Sequence, residues 1–353
     1  MHNRKKGSDS GVPPEKIAKY VQLKDIVLAK HQAKVYTPLT DKLTSQMAAM
    51  NPDFYTLWNY RRDILLNFFK TDEDENKKSL YCANELKVIE KSLRANPKSY
   101  GAWFQRRWVI EQGTSDIAGE LGLCDRFLAL DARNFHCWNY RRFVAEKAYT
   151  CGAATLTSEL KFSSQKINED FSNYSAWHYR TKLIPLIYRA NREKEHPDPA
   201  WLNFDTIIDS EFELVAQAFY VDPEDQSGWL YYRWLLGRVV SAGPALPSLG
   251  ISLGVALPTD LQESDDRTRQ VEVFTRELKR CRELAAMEPK CKWVLLTLTL
   301  LIAGLEACKE TEDENSQTNL TEIQIIFESL YNLDPMRRNY YVVVQKHITS
   351  FSR

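Results

Sequence analysis

Seven cysteines and six histidines are the side chains best able to ligate a metal or attack an electrophile. The cysteines are Cys82, Cys124, Cys137, Cys151, Cys281, Cys291 and Cys308. Their number is odd and they form no C-x-x-C pair, so they read as reduced core thiols of a cytoplasmic protein. The histidines are dispersed, and His136 and His178 fall inside recurring phrases where a turn or helix role fits better than ligation. No nucleophile–base pair, glycine-rich phosphate loop or metal-ligand cluster stands out. Paired arginines recur at Arg61-Arg62, Arg106-Arg107 and Arg141-Arg142, with single ones at Arg180 and Arg233. They could track phosphates. As forks they could equally satisfy carbonyls and carboxylates of a neighbouring element. Five copies at one phrase position favour the structural use, because a ligand needs such a fork once.

The elements that would position these groups emerge from a self-comparison. The phrase reads Asn51-Pro52…Trp58-Asn59-Tyr60-Arg61, then Asn96-Pro97…Trp103-Phe104-Gln105-Arg106, then Asp131…Trp138-Asn139-Tyr140-Arg141. It continues as Asp170…Trp177-His178-Tyr179-Arg180 and Asp222-Pro223…Trp229-Leu230-Tyr231-Tyr232-Arg233. In all five the Asn or Asp stands seven residues before the Trp. A looser sixth copy is Glu288-Pro289…Trp293, and a seventh is Asp334-Pro335 with Tyr341 seven residues on. Proline ends the preceding helix because it donates no N–H and restricts its neighbour. The short polar side chain offers an acceptor at the turn. Trp58, Leu65 and Leu66 then follow a helical stripe, and apolar runs such as Leu86, Ile89 and Leu93 precede each turn. The unit is a helix–turn–helix of about 35 residues or more. The expected fold is all-α, a right-handed α-α superhelix (solenoid) of helical hairpins forming a crescent.

Composition sets the outer limits. Lys+Arg and Asp+Glu each count 47, so no basic excess argues for nucleic acid. The longest apolar stretch, Trp293 to Ala303, is too short to span a bilayer. The basic Met1–Lys6 stretch has no apolar run behind it, so no signal peptide is expected. Residues 1–15 read as a flexible segment and 16–350 as the repeat domain. Within it, 241–267 reads as a loop or remnant insertion, rich in Gly, Pro and Ser. A shorter acidic loop is expected at Glu310–Asn319.

The recurring Trp-x-x-Arg phrase resembles the repeats of protein prenyltransferase α subunits. Several stretches resemble the Rab geranylgeranyl (type II) branch more narrowly. They are Asn96-Pro97-Lys98-Ser99-Tyr100-Gly101-Ala102-Trp103, Arg133 to Val144, Asp225 to Trp229 with Arg233 to Arg238, Lys292 to Thr297, and Leu333 to Arg337. The likeness runs from about Leu43 to Tyr341. It implies a heterodimer with an α/α-barrel β subunit that carries the zinc and most of the lipid pocket. The implied reaction moves geranylgeranyl from geranylgeranyl diphosphate to C-terminal cysteines of Rab GTPases presented by a Rab escort protein. Longer family members carry immunoglobulin-like and leucine-rich repeat domains, and this sequence is expected to be a short form without them. Two alternatives stay open: the α subunit of farnesyltransferase and type I geranylgeranyltransferase, and a non-enzymatic tetratricopeptide-like scaffold.

The resemblance also selects site residues. It places Lys98 and Tyr100 against the prenyl diphosphate in a supporting role, where an ammonium can stabilise the charge that the leaving group gains. The other turns lack this Lys, carrying Asp53-Phe54 or Arg133-Asn134 instead. A solvated turn lysine is the plain alternative. By position alone His2 matches a histidine that in some members reaches the β-subunit zinc. Trp58, Trp103, Trp138, Trp177, Trp229 and Trp293, with Arg61, Arg106, Arg141, Arg180 and Arg233, are expected to be the structural repeat residues.

Overall fold

The computed structural model describes residues 13–72, 74–113, 116–152, 155–239, 267–309 and 314–350. His2 lies outside the described residues, as does the 241–267 segment apart from Arg267. Every extended regular element among the described residues is a helix. The chain divides into two compact units, Met1–Thr155 and Leu156–Arg353.

The first unit holds α1 (Pro14–Gln32), α2 (Pro38–Met50), α3 (Tyr55–Thr71), α4 (Glu75–Ala95), α5 (Tyr100–Glu111), α6 (Ile117–Leu130) and α7 (Phe135–Thr150). Helices α2/α3, α4/α5 and α6/α7 are the three hairpins, with α1 packed on α2. Across hairpins α2 packs on α4, α3 on α5, and α5 on α7, so like helices stack in two layers. The second unit holds α8 (Leu156–Glu169), α9 (Tyr174–Arg192), α10 (Phe204–Val221), α11 (Gln226–Val239), α12 (Arg267–Met287), α13 (Lys292–Ala307), α14 (Glu314–Leu333) and α15 (Arg338–Ser350). Its hairpins α8/α9, α10/α11, α12/α13 and α14/α15 follow the same plan, with α9 against α11 and α13 against α14. Short 3-10 turns lie at Pro199–Trp201 and Pro335–Arg337.

Two boundaries differ from the sequence reading. The helical array begins with Pro14, whose ring fits the first helical position because its absent N–H would have no partner there. The stretch expected as an acidic loop at Glu310–Asn319 is helical from Glu314. Acidic charge suits a helix N-terminus, and Asn319 Nδ2 donates to Glu306 Oε1 of α13 at 2.5 Å, anchoring the new helix on its neighbour.

Candidate functional site

The Asn/Asp that opens each phrase ends one helix and builds the turn to the next. Its side-chain oxygen accepts from the backbone N–H two residues on: Asn51 from Asp53 at 3.2 Å, Asn96 from Lys98 at 3.1 Å, and Asp131 from Arg133 at 3.1 Å. Asp170 and Asp222 do the same for Ser172 and Glu224. The Trp seven residues later is buried in all five copies. Each indole N–H donates to the carbonyl six residues before it: Trp58 to Pro52 at 2.7 Å, Trp103 to Pro97 at 2.9 Å, Trp138 to Ala132 at 2.8 Å, Trp177 to Phe171 at 2.7 Å, and Trp229 to Pro223 at 2.8 Å. Packing alone would not need this bond, and it locks each turn to the helix behind it.

The same carbonyls also receive the next turn. Ser99 Oγ donates to Pro52 O at 2.8 Å, and Asn134 Nδ2 to Pro97 O at 3.0 Å. In the second unit Cys291 Sγ donates to Pro223 O at 3.1 Å. A carbonyl has two lone pairs, so one oxygen serves its own indole and its neighbour's turn. Gly101 keeps this approach open. A methyl group there would stand 2.6 Å from Trp58 Cδ1.

In three copies the arginine three residues after the Trp pairs with a glutamate of the next hairpin. Arg61 forms a two-pronged pair with Glu85 of α4, and its third nitrogen reaches Asp41 O, Thr44 and Ser45. Arg106 pairs with Glu120 at 2.7 and 2.6 Å, and Arg180 with Glu211 at 2.8 and 2.5 Å. Arg141 pairs with Asp125 of α6, within its own hairpin, at 2.6 Å. Each of these glutamates also binds the side chain two residues after its own hairpin's Trp: Gln105 on Glu85, Tyr140 on Glu120, Tyr231 on Glu211. The sequence reading missed these buried carboxylates. Their signal was a constant separation of 20 residues from the Tyr or Gln.

Arg233 and Trp293 do not take the repeat positions expected of them. Counting from Trp229, the position of Arg61 falls on Tyr232, whose hydroxyl donates to the buried Glu277 at 3.0 Å. Arg233 stands one residue later. In the sixth copy Cys291 takes the place of Ser99, which puts Leu295, not Trp293, in the register of the buried indoles. Trp293 is only half-buried. The two displaced residues meet each other: the Arg233 guanidinium carbon lies 5.5 Å from the Trp293 ring centre. The Nε and Nη2 atoms of Arg233 are buried with no hydrogen-bond partner, and burial pushes its guanidinium below arginine's usual range.

The α4/α5 turn carries the two residues that the resemblance selects, Lys98 and Tyr100. Lys98 is exposed, with its side chain 52% accessible, and its Nζ lies 3.8 Å from Asp131 Oδ2 on the next turn. Tyr100 is 58% exposed. Its ring stands edge-on to His136 with 4.1 Å between centres, and 6.2 Å from the ring of Phe135. Phe135 in turn covers His136 at 4.0 Å. His136 is buried, and burial with the nearby Lys98 charge holds its imidazole below the usual histidine range. Tyr55, Tyr100 and Phe135 share one position in successive turns of this unit, and all three are exposed. Lys98 and the exposed aromatics thus lie together on the turns of this unit. Among the described residues no group of His, Cys, Asp and Glu could hold a metal ion.

A family model described as protein prenyltransferase alpha subunit repeat matches residues 41–68, 82–113, 117–148, 156–186 and 208–239. These are hairpins α2/α3 through α10/α11. A pig protein named geranylgeranyl transferase type-2 subunit alpha is 44% identical, over 92% of this chain and 70% of its own length. A Dictyostelium discoideum protein of the same name is 33% identical, over 91% of this chain and 88% of its own. The rat protein is 42% identical over 64% of this chain, but the match spans only 38% of the rat sequence. Among solved structures, Candida albicans protein geranylgeranyltransferase-I complexed with GGPP aligns with a TM-score of 0.62 over 94% of this chain and 91% of that one. At 20% identity that likeness speaks for the fold. The turn lock, the arginine–glutamate rungs and these matches agree: this chain belongs to the protein prenyltransferase alpha-subunit family, alongside the relatives named geranylgeranyl transferase type-2 subunit alpha.

Proposed function

We propose that this chain is the α subunit of a cytoplasmic Rab geranylgeranyltransferase. It works beside an α/α-barrel β subunit that supplies the zinc and the lipid pocket. The heterodimer moves geranylgeranyl from geranylgeranyl diphosphate to C-terminal cysteines of Rab GTPases presented by a Rab escort protein. In that reaction the cysteine sulfur forms a bond to the first prenyl carbon as the carbon–oxygen bond to diphosphate breaks. The departing diphosphate takes the electron pair and gains charge.

Lys98 and Tyr100 are this chain's contribution to that charge. The observation that carries the reading is their exposure on one turn. Lys98 forms a 3.8 Å pair with a partly exposed carboxylate. Such pairs are worth about 0–1 kcal/mol, so a diphosphate with several negative charges can draw the ammonium away. The exposed aromatics at the same turn position support a protein partner covering this edge.

Co-expression with a barrel-type β subunit tests the reading. A 1:1 heterodimer that transfers geranylgeranyl to a Rab–escort complex is expected, with no transfer by the purified chain alone. Transfer by the isolated chain, or no activity with any β subunit, overturns it.

A further inference from the structure

We infer that the turn between α6 and α7, through His136 and Asp131, sets where Lys98 and Tyr100 of the preceding turn stand, so that His136 is a positioning residue for transfer. The inference rests on the diphosphate reading of Lys98 and Tyr100.

Both side chains lie on an exposed turn. The fixing contacts come from the next turn. The Tyr100 ring stands edge-on against the His136 ring at 4.1 Å and an interplanar angle of 86°. The positive ring edge and negative ring face favour this arrangement, which orients the phenol as well as touching it. His136 can serve as a platform because it is itself fixed. It is buried, its backbone N–H is capped by Asn134 Oδ1 at 3.1 Å, and Phe135 covers its ring at 4.0 Å. Asn134 is anchored in turn on Pro97 O, the carbonyl directly before Lys98. The platform and the residues it orients are therefore tied through one backbone carbonyl.

Asp131 acts on Lys98 in a different way. Its Oδ1 is committed to the Arg133 N–H at 3.1 Å, which builds the turn, while its Oδ2 faces the Lys98 ammonium at 3.8 Å. It holds the ammonium toward the next turn and competes with an incoming anion for it. Burial and then the Lys98 charge disfavour protonation of the His136 ring beside this ammonium. A neutral ring can pack against Tyr100 without repelling Lys98.

The test uses the α/β heterodimer with geranylgeranyl diphosphate, single-turnover rates at saturation, and the melting temperature of each variant as a control for folding. His136→Ala is expected to slow transfer about five- to ten-fold, the worth of one oriented aromatic contact. The double variant Tyr100→Ala/His136→Ala is expected to be no slower than Tyr100→Ala, because the two residues act as one unit. His136→Phe keeps the ring and should return the rate to within about three-fold of wild type. Asp131→Asn keeps the acceptor for Arg133 but removes the competing charge, and should tighten binding of inorganic diphosphate a few-fold. Additive losses in the double variant, or a wild-type rate for His136→Ala while Tyr100→Ala is slow, would overturn the inference alone. Wild-type rates for both Lys98→Ala and Tyr100→Ala would remove the diphosphate reading, and this inference with it.

Discussion

The Lys98 ammonium is half-exposed, so removing it leaves the fold almost untouched and any loss falls on chemistry. Loss of one charge-assisted donor to a leaving group costs about 2–4 kcal/mol of transition-state stabilisation. Lys98→Ala in the heterodimer should therefore slow a single turnover by roughly thirty- to a thousand-fold, with unchanged melting temperature. Lys87→Ala on α4 is the control and should leave the rate alone. The arginines permit a sharper contrast. Arg61→Met strands the buried Glu85 carboxylate, and breaking such a pair costs about 3–5 kcal/mol. Among the described residues no carboxylate pairs with Arg233, so Arg233→Met should lie within about 1 kcal/mol of wild type in chemical denaturation. The sequence reading grouped these two arginines because Trp229-Leu230-Tyr231-Tyr232-Arg233 ends in the right residue. One inserted position was enough to hide that Tyr232 has taken over the contact to Glu277. Periodicity finds the phrase, but hydrogen-bond partners from distant helices decide which member of it makes the contact.

At the scale of the helical hairpin, the turns and their tryptophans were the most legible part of the chain. Proline, a short polar residue and a large ring at fixed spacing each have a local mechanical reason. Trp138→Ala would remove a fully buried indole together with its bond to Ala132 O, and should cost roughly 3–5 kcal/mol by thermal or denaturant unfolding. Gly101→Ala sets two effects against each other. Alanine favours a helix by about 1 kcal/mol over glycine. The new methyl meets Trp58, whose ring cannot retreat because its N–H is held by Pro52 O. Overpacking of this kind costs about 1–3 kcal/mol, so the variant should be less stable than wild type. The glutamates under the arginines were not legible, because a buried charge looks the same in sequence as a surface one until its partner is known. The start of α14 at Glu314 was hidden for a related reason: its anchor, Glu306, lies on the preceding helix.

At the scale of the whole molecule, the exposed Tyr55, Tyr100 and Phe135 leave apolar surface that a partner would cover. The isolated chain should aggregate more readily than the heterodimer. By mass action a β subunit that binds only the folded chain raises its apparent stability, by about 2.7 kcal/mol at a hundred-fold excess over Kd. The melting temperature of the chain should accordingly rise with β-subunit concentration, and a melting curve indifferent to it would count against the partnership.

The doubly used carbonyls of Pro52, Pro97 and Pro223 have a consequence for how the chain tolerates change in length. Successive turns are clipped to one another directly, not through the helices between them. The clip from Asn134 to Pro97 spans 37 residues, whereas the one from Cys291 to Pro223 spans 68, yet both end on the same kind of oxygen. Lengthening the chain between two clips costs only a slowly growing loop entropy, about 0.6 kcal/mol per doubling. Natural insertions can therefore accumulate between hairpins while the turn edge keeps its pitch. A peptide tag spliced after Glu193, between α9 and α10, should leave the spacing of the Ser172 and Ser227 turns as it is.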